Sequence, residues 1–91
     1  MKSYIIIAKF KDGVTADKIS ELIPAEQKQA EILKDNGLLG EIKVAMPRRT
    51  VFIEAFGNDV DIVLENIKTL PMAKLWSIDI YAVTPPSGSP A

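Results

Sequence analysis

Glu54 stands inside Val51-Phe52-Ile53-Glu54-Ala55-Phe56, with an aromatic ring two residues to either side. A carboxylate between aromatic side chains is partly stripped of water, which makes it usable as a general base or acid. Towards the other end of the chain, Ser77-Ile78-Asp79-Ile80-Tyr81 sets a second carboxylate and a phenol two residues apart. At strand spacing those two side chains share one face. Asp79 would then be a second acid–base group, and Tyr81 a donor that polarises an oxygen. Lys9 follows the first apolar run; its ammonium would hold a substrate carboxylate or offset developing negative charge. Arg48 and Arg49 are adjacent, and a guanidinium fork grips a carboxylate through two parallel hydrogen bonds. Each group also has a plainer use. Glu54 can pair with Lys9 or Lys43, Asp79 and Tyr81 can hydrogen-bond at an interface, and arginines in a turn are commonly solvated.

The composition narrows the chemistry. Among 91 residues there is no cysteine and no histidine. Disulfides, thiolate nucleophiles and Cys-ligated metals are excluded, together with the commonest neutral-pH base and the commonest haem and metal ligand. No cofactor and no metal are expected. Eleven basic residues against 12 acidic ones leave a net charge of −1, which gives no electrostatic grip on nucleic acid. The opening run Tyr4-Ile5-Ile6-Ile7-Ala8 is short and is followed at once by Lys9 and Lys11. It reads as a strand rather than a signal peptide. No stretch approaches membrane-spanning length, and a cytoplasmic location is expected.

The elements that would position these residues follow from periodicity. The spacing predicts strands over Ser3 to Phe10, Leu39 to Met46, Thr50 to Phe56 and Trp76 to Val83. A first helix is expected after Thr15 as N-cap, with Ile19, Leu22 and Ile23 on its apolar stripe, a kink or restart at Pro24, and a stop at Gly37. A second helix carries Val60, Val63, Leu64 and Ile67, with Asn58 as its cap and Leu70-Pro71 as its end. Pro47-Arg48-Arg49 is a turn. Met46 and Met72 are expected to pack. Residues 1–84 form a single domain; Pro85-Pro86-Ser87-Gly88-Ser89-Pro90-Ala91 is a tail. The order βαββαβ is that of an α+β ferredoxin-like plait, a four-stranded antiparallel sheet with both helices on one face.

Alternation then sorts the strands into two faces, provided there are no bulges. Tyr4, Ile6, Ala8, Phe10, Ile42, Val44, Val51, Ile53, Ala55, Ile78, Ile80 and Ala82 belong under the helices, as does Trp76. The opposite face mixes Ile5, Ile7, Phe52, Phe56 and Val83 with Lys9, Glu41, Lys43, Glu54, Asp79 and Tyr81. An apolar patch of that extent calls for a partner. A second copy stacked sheet to sheet is expected.

Several stretches resemble the muconolactone isomerase-like family of the dimeric α/β-barrel superfamily. They are Pro24-Ala25-Glu26-Gln27 through Leu33 and Gly37-Leu38, then Val51-Phe52-Ile53-Glu54-Ala55, and Leu70-Pro71-Met72 followed by Ile78-Asp79-Ile80 and Val83-Thr84-Pro85. The resemblance implies a dimeric α/β barrel, with higher assemblies of such dimers open, and cofactor-independent isomerisation of a small lactone or organic acid. Glu54 would carry a proton from one carbon to another, with Asp79 and Tyr81 assisting and Lys9, Arg48 or Arg49 holding the acidic group. Two alternatives stand beside it. One is a non-catalytic homodimer that is structural or binds a small ligand. The other is a cofactor-free monooxygenase of the same superfamily, acting on an aromatic substrate.

Overall fold

The computed structural model describes residues 1–84; the expected tail at 85–91 lies outside them. Strand β1 spans Lys2–Phe10, helix α1 Ala16–Asp35, β2 Leu39–Ala45, β3 Thr50–Gly57, α2 Val60–Lys68 and β4 Trp76–Val83. The sheet order is β2-β3-β1-β4, and every neighbouring pair is antiparallel. This is the ferredoxin-like α+β arrangement expected from the order of elements.

One face of the sheet meets both helices. Tyr4, Ile6, Ala8, Val51, Ile53 and Ala55 join Ala30 and Leu33 of α1 and Val63 and Ile67 of α2 in one buried cluster. Removing a side chain such as Ile6, Ile53 or Ile67 from water stabilises the fold by roughly 1.5–3 kcal/mol. Gly57 lets α2 come close, since a Cβ there would meet Val63 Cγ2 at 2.6 Å.

Caps explain most boundaries. Thr15 accepts from the Lys18 N–H at 3.1 Å and starts α1. The helix ends at Gly37 with φ +74°. The Leu38 N–H reaches the Leu33 carbonyl and the Gly37 N–H that of Lys34, both at 2.9 Å. That pair of bonds is the Schellman stop, in which glycine occupies the left-handed position without a Cβ penalty.

Other expectations are corrected. Helix α1 continues through Pro24 as one element, without the restart. Pro24 and Ser20 are both exposed, so the carbonyl left without its helical partner faces solvent rather than core. Asp59, not Asn58, caps α2: its backbone is extended and its carboxylate accepts from the Ile62 N–H at 2.9 Å. The helix closes at Lys68, and Pro71 opens a short 3-10 turn, Pro71–Leu75, that sequence periodicity does not signal. Met46 begins another 3-10 turn, Met46–Arg48, instead of ending β2, and is exposed. Val44 and Ala82 lie on strands at the two edges of the sheet and are exposed where the helices do not reach.

The assumption of bulge-free strands fails in β2. Leu39 pairs with Ala55 and Ile42 with Ile53, so three steps on β2 match two on β3. One extra residue lies between them, at Gly40-Glu41.

Candidate functional site

The bulge decides what Glu54 does. An extra residue in one strand leaves a backbone group outside the ladder. The Glu41 N–H donates to Glu54 Oε1 at 3.3 Å. Gly40 makes room for this contact, because a Cβ there would run into the Glu54 carboxylate. Glu54 is half-buried and borders a depression of about 150 Å³ with Ile5, Phe52, Glu41 and Lys43. Lys43 pairs with Glu41 at 3.7 Å. Among the described residues neither Lys9 nor Lys43 forms a salt bridge with Glu54.

The sheet register places the remaining open-face groups. Ile5 is flanked by Glu54 on β3 and Tyr81 on β4, and Ile7 by Phe52 and Asp79. With strands spaced about 4.8 Å apart, Glu54 and Tyr81 stand roughly 10 Å apart at the backbone. Asp79 is further from Glu54 by one diagonal step. Lys9, exposed, lies beside Thr50 and Ser77 at the far end of β1. One sheet face therefore gathers Glu54, Tyr81, Asp79 and Lys9, and an isoleucine row separates the first two.

The two arginines go separate ways. Arg49 adopts the left-handed conformation, φ 48° and ψ 45°. Its Nη2 donates to the Val14 carbonyl at 2.9 Å and to that of Lys11 at 3.4 Å. Its guanidinium lies 6.0 Å from the centre of the Phe10 ring. Arg49 thus ties the β1–α1 loop to the turn before β3. Arg48 is exposed, and its carbonyl accepts from Thr50 Oγ1 at 2.7 Å.

A second constellation lies behind the sheet, and the reading of motifs misses it. Glu26 of α1 accepts the Met72 N–H at 2.8 Å, tying the helix to the 3-10 turn before β4. Gln29, one turn on, donates to Thr69 Oγ1 at 2.9 Å. Burial pushes the Glu26 carboxyl above its usual range, and the Met72 N–H partly opposes that rise. Beside it opens a cavity of about 660 Å³ between α1 and the β2 side of the sheet. Trp76 lines it, is 4% exposed, and its Nε1–H finds no hydrogen-bond partner among the described residues. The sequence signal for this site was slight: a glutamate one helical turn from apolar Ile23 and Ala30, and a lone tryptophan at the start of a strand.

The described residues include no cluster of His, Cys, Asp or Glu suited to a metal ion. No helix among them is long and apolar enough to cross a membrane. Comparison with protein-family models gives no match to the chain, and comparison with curated proteins gives none either.

Proposed function

We propose that this chain acts as a homodimer paired through the open face of its sheet, with Glu54, Asp79 and Tyr81 serving that junction. The observation that carries the reading is the engagement of Glu54. Its carboxylate occupies the free N–H of the β2 bulge, while Asp79 and Tyr81 stand across an isoleucine row. The face is otherwise apolar where it would need to be: Phe52 is 41% exposed, Tyr81 54% and Val83 37%. Stacking two such sheets would remove these side chains from water and leave Lys9, Lys43 and Glu41 near the rim. Size-exclusion chromatography with light scattering tests it. Wild type is expected at twice the chain mass and Phe52→Glu at the chain mass; a wild type that stays single at micromolar concentration overturns the proposal.

A second reading, in line with the resemblance to muconolactone isomerases, is favoured by one observation. Glu54 and Tyr81 flank Ile5 from neighbouring strands, about 10 Å apart, a gap that a small lactone or organic acid would span. Glu54 would take a proton from one carbon and return it to another, with Tyr81, Asp79 or Lys9 stabilising the enolate-like intermediate and Arg48 available to the acidic group. Turnover of muconolactone that disappears in Glu54→Gln supports this reading; full turnover in that variant removes it.

A further inference from the structure

The two edges of the sheet differ in how they are closed. β2 ends it on one side and β4 on the other. The β2 edge carries the bulge at Gly40-Glu41 and the ion pair of Glu41 with Lys43. Bulges and charges, lysine above all, keep an edge from accepting another strand. β4 has no such device. Trp76–Val83 pairs with β1 without a register shift, contains no lysine, arginine or proline, and carries a charge at Asp79 alone.

The register fixes which backbone groups are left over. The Lys11 N–H donates to the Leu75 carbonyl at 2.9 Å, next to the pair of Phe10 with Trp76. That bond makes Phe10 and Trp76 a non-hydrogen-bonded pair, and the two kinds of pair alternate along an antiparallel ladder. Ser77, Asp79, Tyr81 and Val83 therefore turn their N–H and C=O groups to β1, and Ile78, Ile80 and Ala82 turn theirs outward. No other backbone group among the described residues meets them. The core is unfinished at the same edge. Ile6 and Ala8 of β1 are buried beneath the helices, whereas their neighbours Ile80 and Ile78 are half-buried and Ala82 is exposed. Leu64 of α2 and Ile78 border a depression of about 400 Å³ there.

We propose that the outer edge of β4 is a pairing surface for β4 of a second copy, antiparallel about a twofold axis at Ile80, so that the two sheets run on as one. In this register Ile80 meets Ile80, Ile78 meets Ala82 of the second copy, and each outward N–H finds a carbonyl. On the open face Asp79 comes opposite Tyr81 of the second copy, whose hydroxyl donates to the carboxylate, and the twofold makes this contact twice. On the helix face the small Ala82 of the second copy enters beside Ile78 and the depression under Leu64. Neighbouring registers lack these matches. Centring on Asp79 opposes two carboxylates, and centring on Tyr81 sets Asp79 against Val83. Centring on Ile78 calls on the Trp76 N–H, already given to the Ala73 carbonyl. Centring on Ala82 sets Ile78 against Pro86, which has no N–H. Edge pairing leaves the open face uncovered and is independent of the dimer proposed through it. One strand against one strand buries less than the roughly 1,200 Å² of stable interfaces, so at micromolar concentration the open face alone sets the oligomeric state.

The test uses the full chain carrying Phe52→Glu, in which only the edge is left to pair. Exchange of amide protons with water is measured by NMR at about 20 µM and about 1 mM, the upper value being where a contact of this size associates. The N–H groups of Ile78, Ile80 and Ala82 are expected to exchange at least about twofold more slowly at the higher concentration, while those of Asp79 and Tyr81, already bonded to β1, stay unchanged. In an equal mixture of ¹³C-labelled and unlabelled protein, an intermolecular cross-peak is expected between the α-protons of Asp79 and Tyr81, which a non-hydrogen-bonded pair brings closest. Ala82→Pro deletes one outward N–H without touching the ladder to β1; both signals should disappear while the rest of the spectrum is retained. Tyr81→Phe should weaken association roughly fivefold, the value of two hydrogen bonds at the low end of the usual range. Exchange independent of concentration, slowing without the alternation, no cross-peak between Asp79 and Tyr81, or undiminished association in Ala82→Pro overturns the proposal. With the face contact already removed by Phe52→Glu, the outcome is separate from that of the face dimer.

Discussion

At the scale of the residue, Glu26 and Glu54 show how location divides like side chains. Burial raises the Glu26 carboxyl although a backbone N–H pulls it down. A carboxyl whose pKa is raised on folding binds its proton more tightly in the folded state. Its contribution to stability is full below the unfolded pKa and is lost as pH rises through the folded one. Glu26→Gln keeps an oxygen for the Met72 N–H and removes that titration. The stability of the variant relative to wild type should therefore increase with pH, read from urea midpoints between about pH 4 and pH 7; parallel profiles would mean that the carboxyl is not desolvated. Glu54 is coupled to Gly40 instead. Gly40→Ala displaces the Glu54 carboxylate from the Glu41 N–H and should cost about 1 kcal/mol, the net worth of that hydrogen bond. In a Glu54→Ala background the same change should cost markedly less, and denaturation of the four proteins of that double-mutant cycle gives the coupling directly.

At the scale of the element, termination signals were more legible than interruptions. Gly37 is readable because few other residues accept its left-handed backbone cheaply. Pro24 does not interrupt the helix, because its effect depends on what its neighbours face. On an exposed stretch of α1 the lost helical bond is made good by solvent, so the helix continues. Asn58 and Asp59 are both good caps by type, and Asp59 is the one whose carboxylate meets the Ile62 N–H. Asp59→Ala is expected to destabilise the protein by about 1 kcal/mol, and Asn58→Ala by less than about 0.5 kcal/mol. Thermal unfolding of the two variants distinguishes them, and a reversed order would move the start of α2 back by one residue.

At the scale of the whole molecule, a four-stranded sheet covered by helices on one face leaves the other to a partner or to water. If two copies pair through Phe52 and its neighbours, mass action links stability to concentration. The melting temperature of wild type should rise by a few degrees over a hundredfold increase in protein concentration, while that of Phe52→Glu should stay constant. A wild type with a constant melting temperature would place the open face in water.

The sequence by itself determined the plait: four alternating runs, two helical stripes and their stops leave little choice of topology, because hydrophobic period and turn chemistry act locally. It also determined which residues of β1, β3 and β4 share the open face, since alternation along an unbulged strand is a property of that strand alone; in β2 the bulge interrupts it. Tertiary structure alone decided the bulge that turns Glu54 towards the Glu41 N–H, the capture of Arg49 by the loop carbonyls, and the meeting of Glu26 with the turn before Trp76. Each joins groups from 13 to 46 residues apart in the chain. Such contacts depend on how strands and helices settle against one another, and no local pattern encodes that distance.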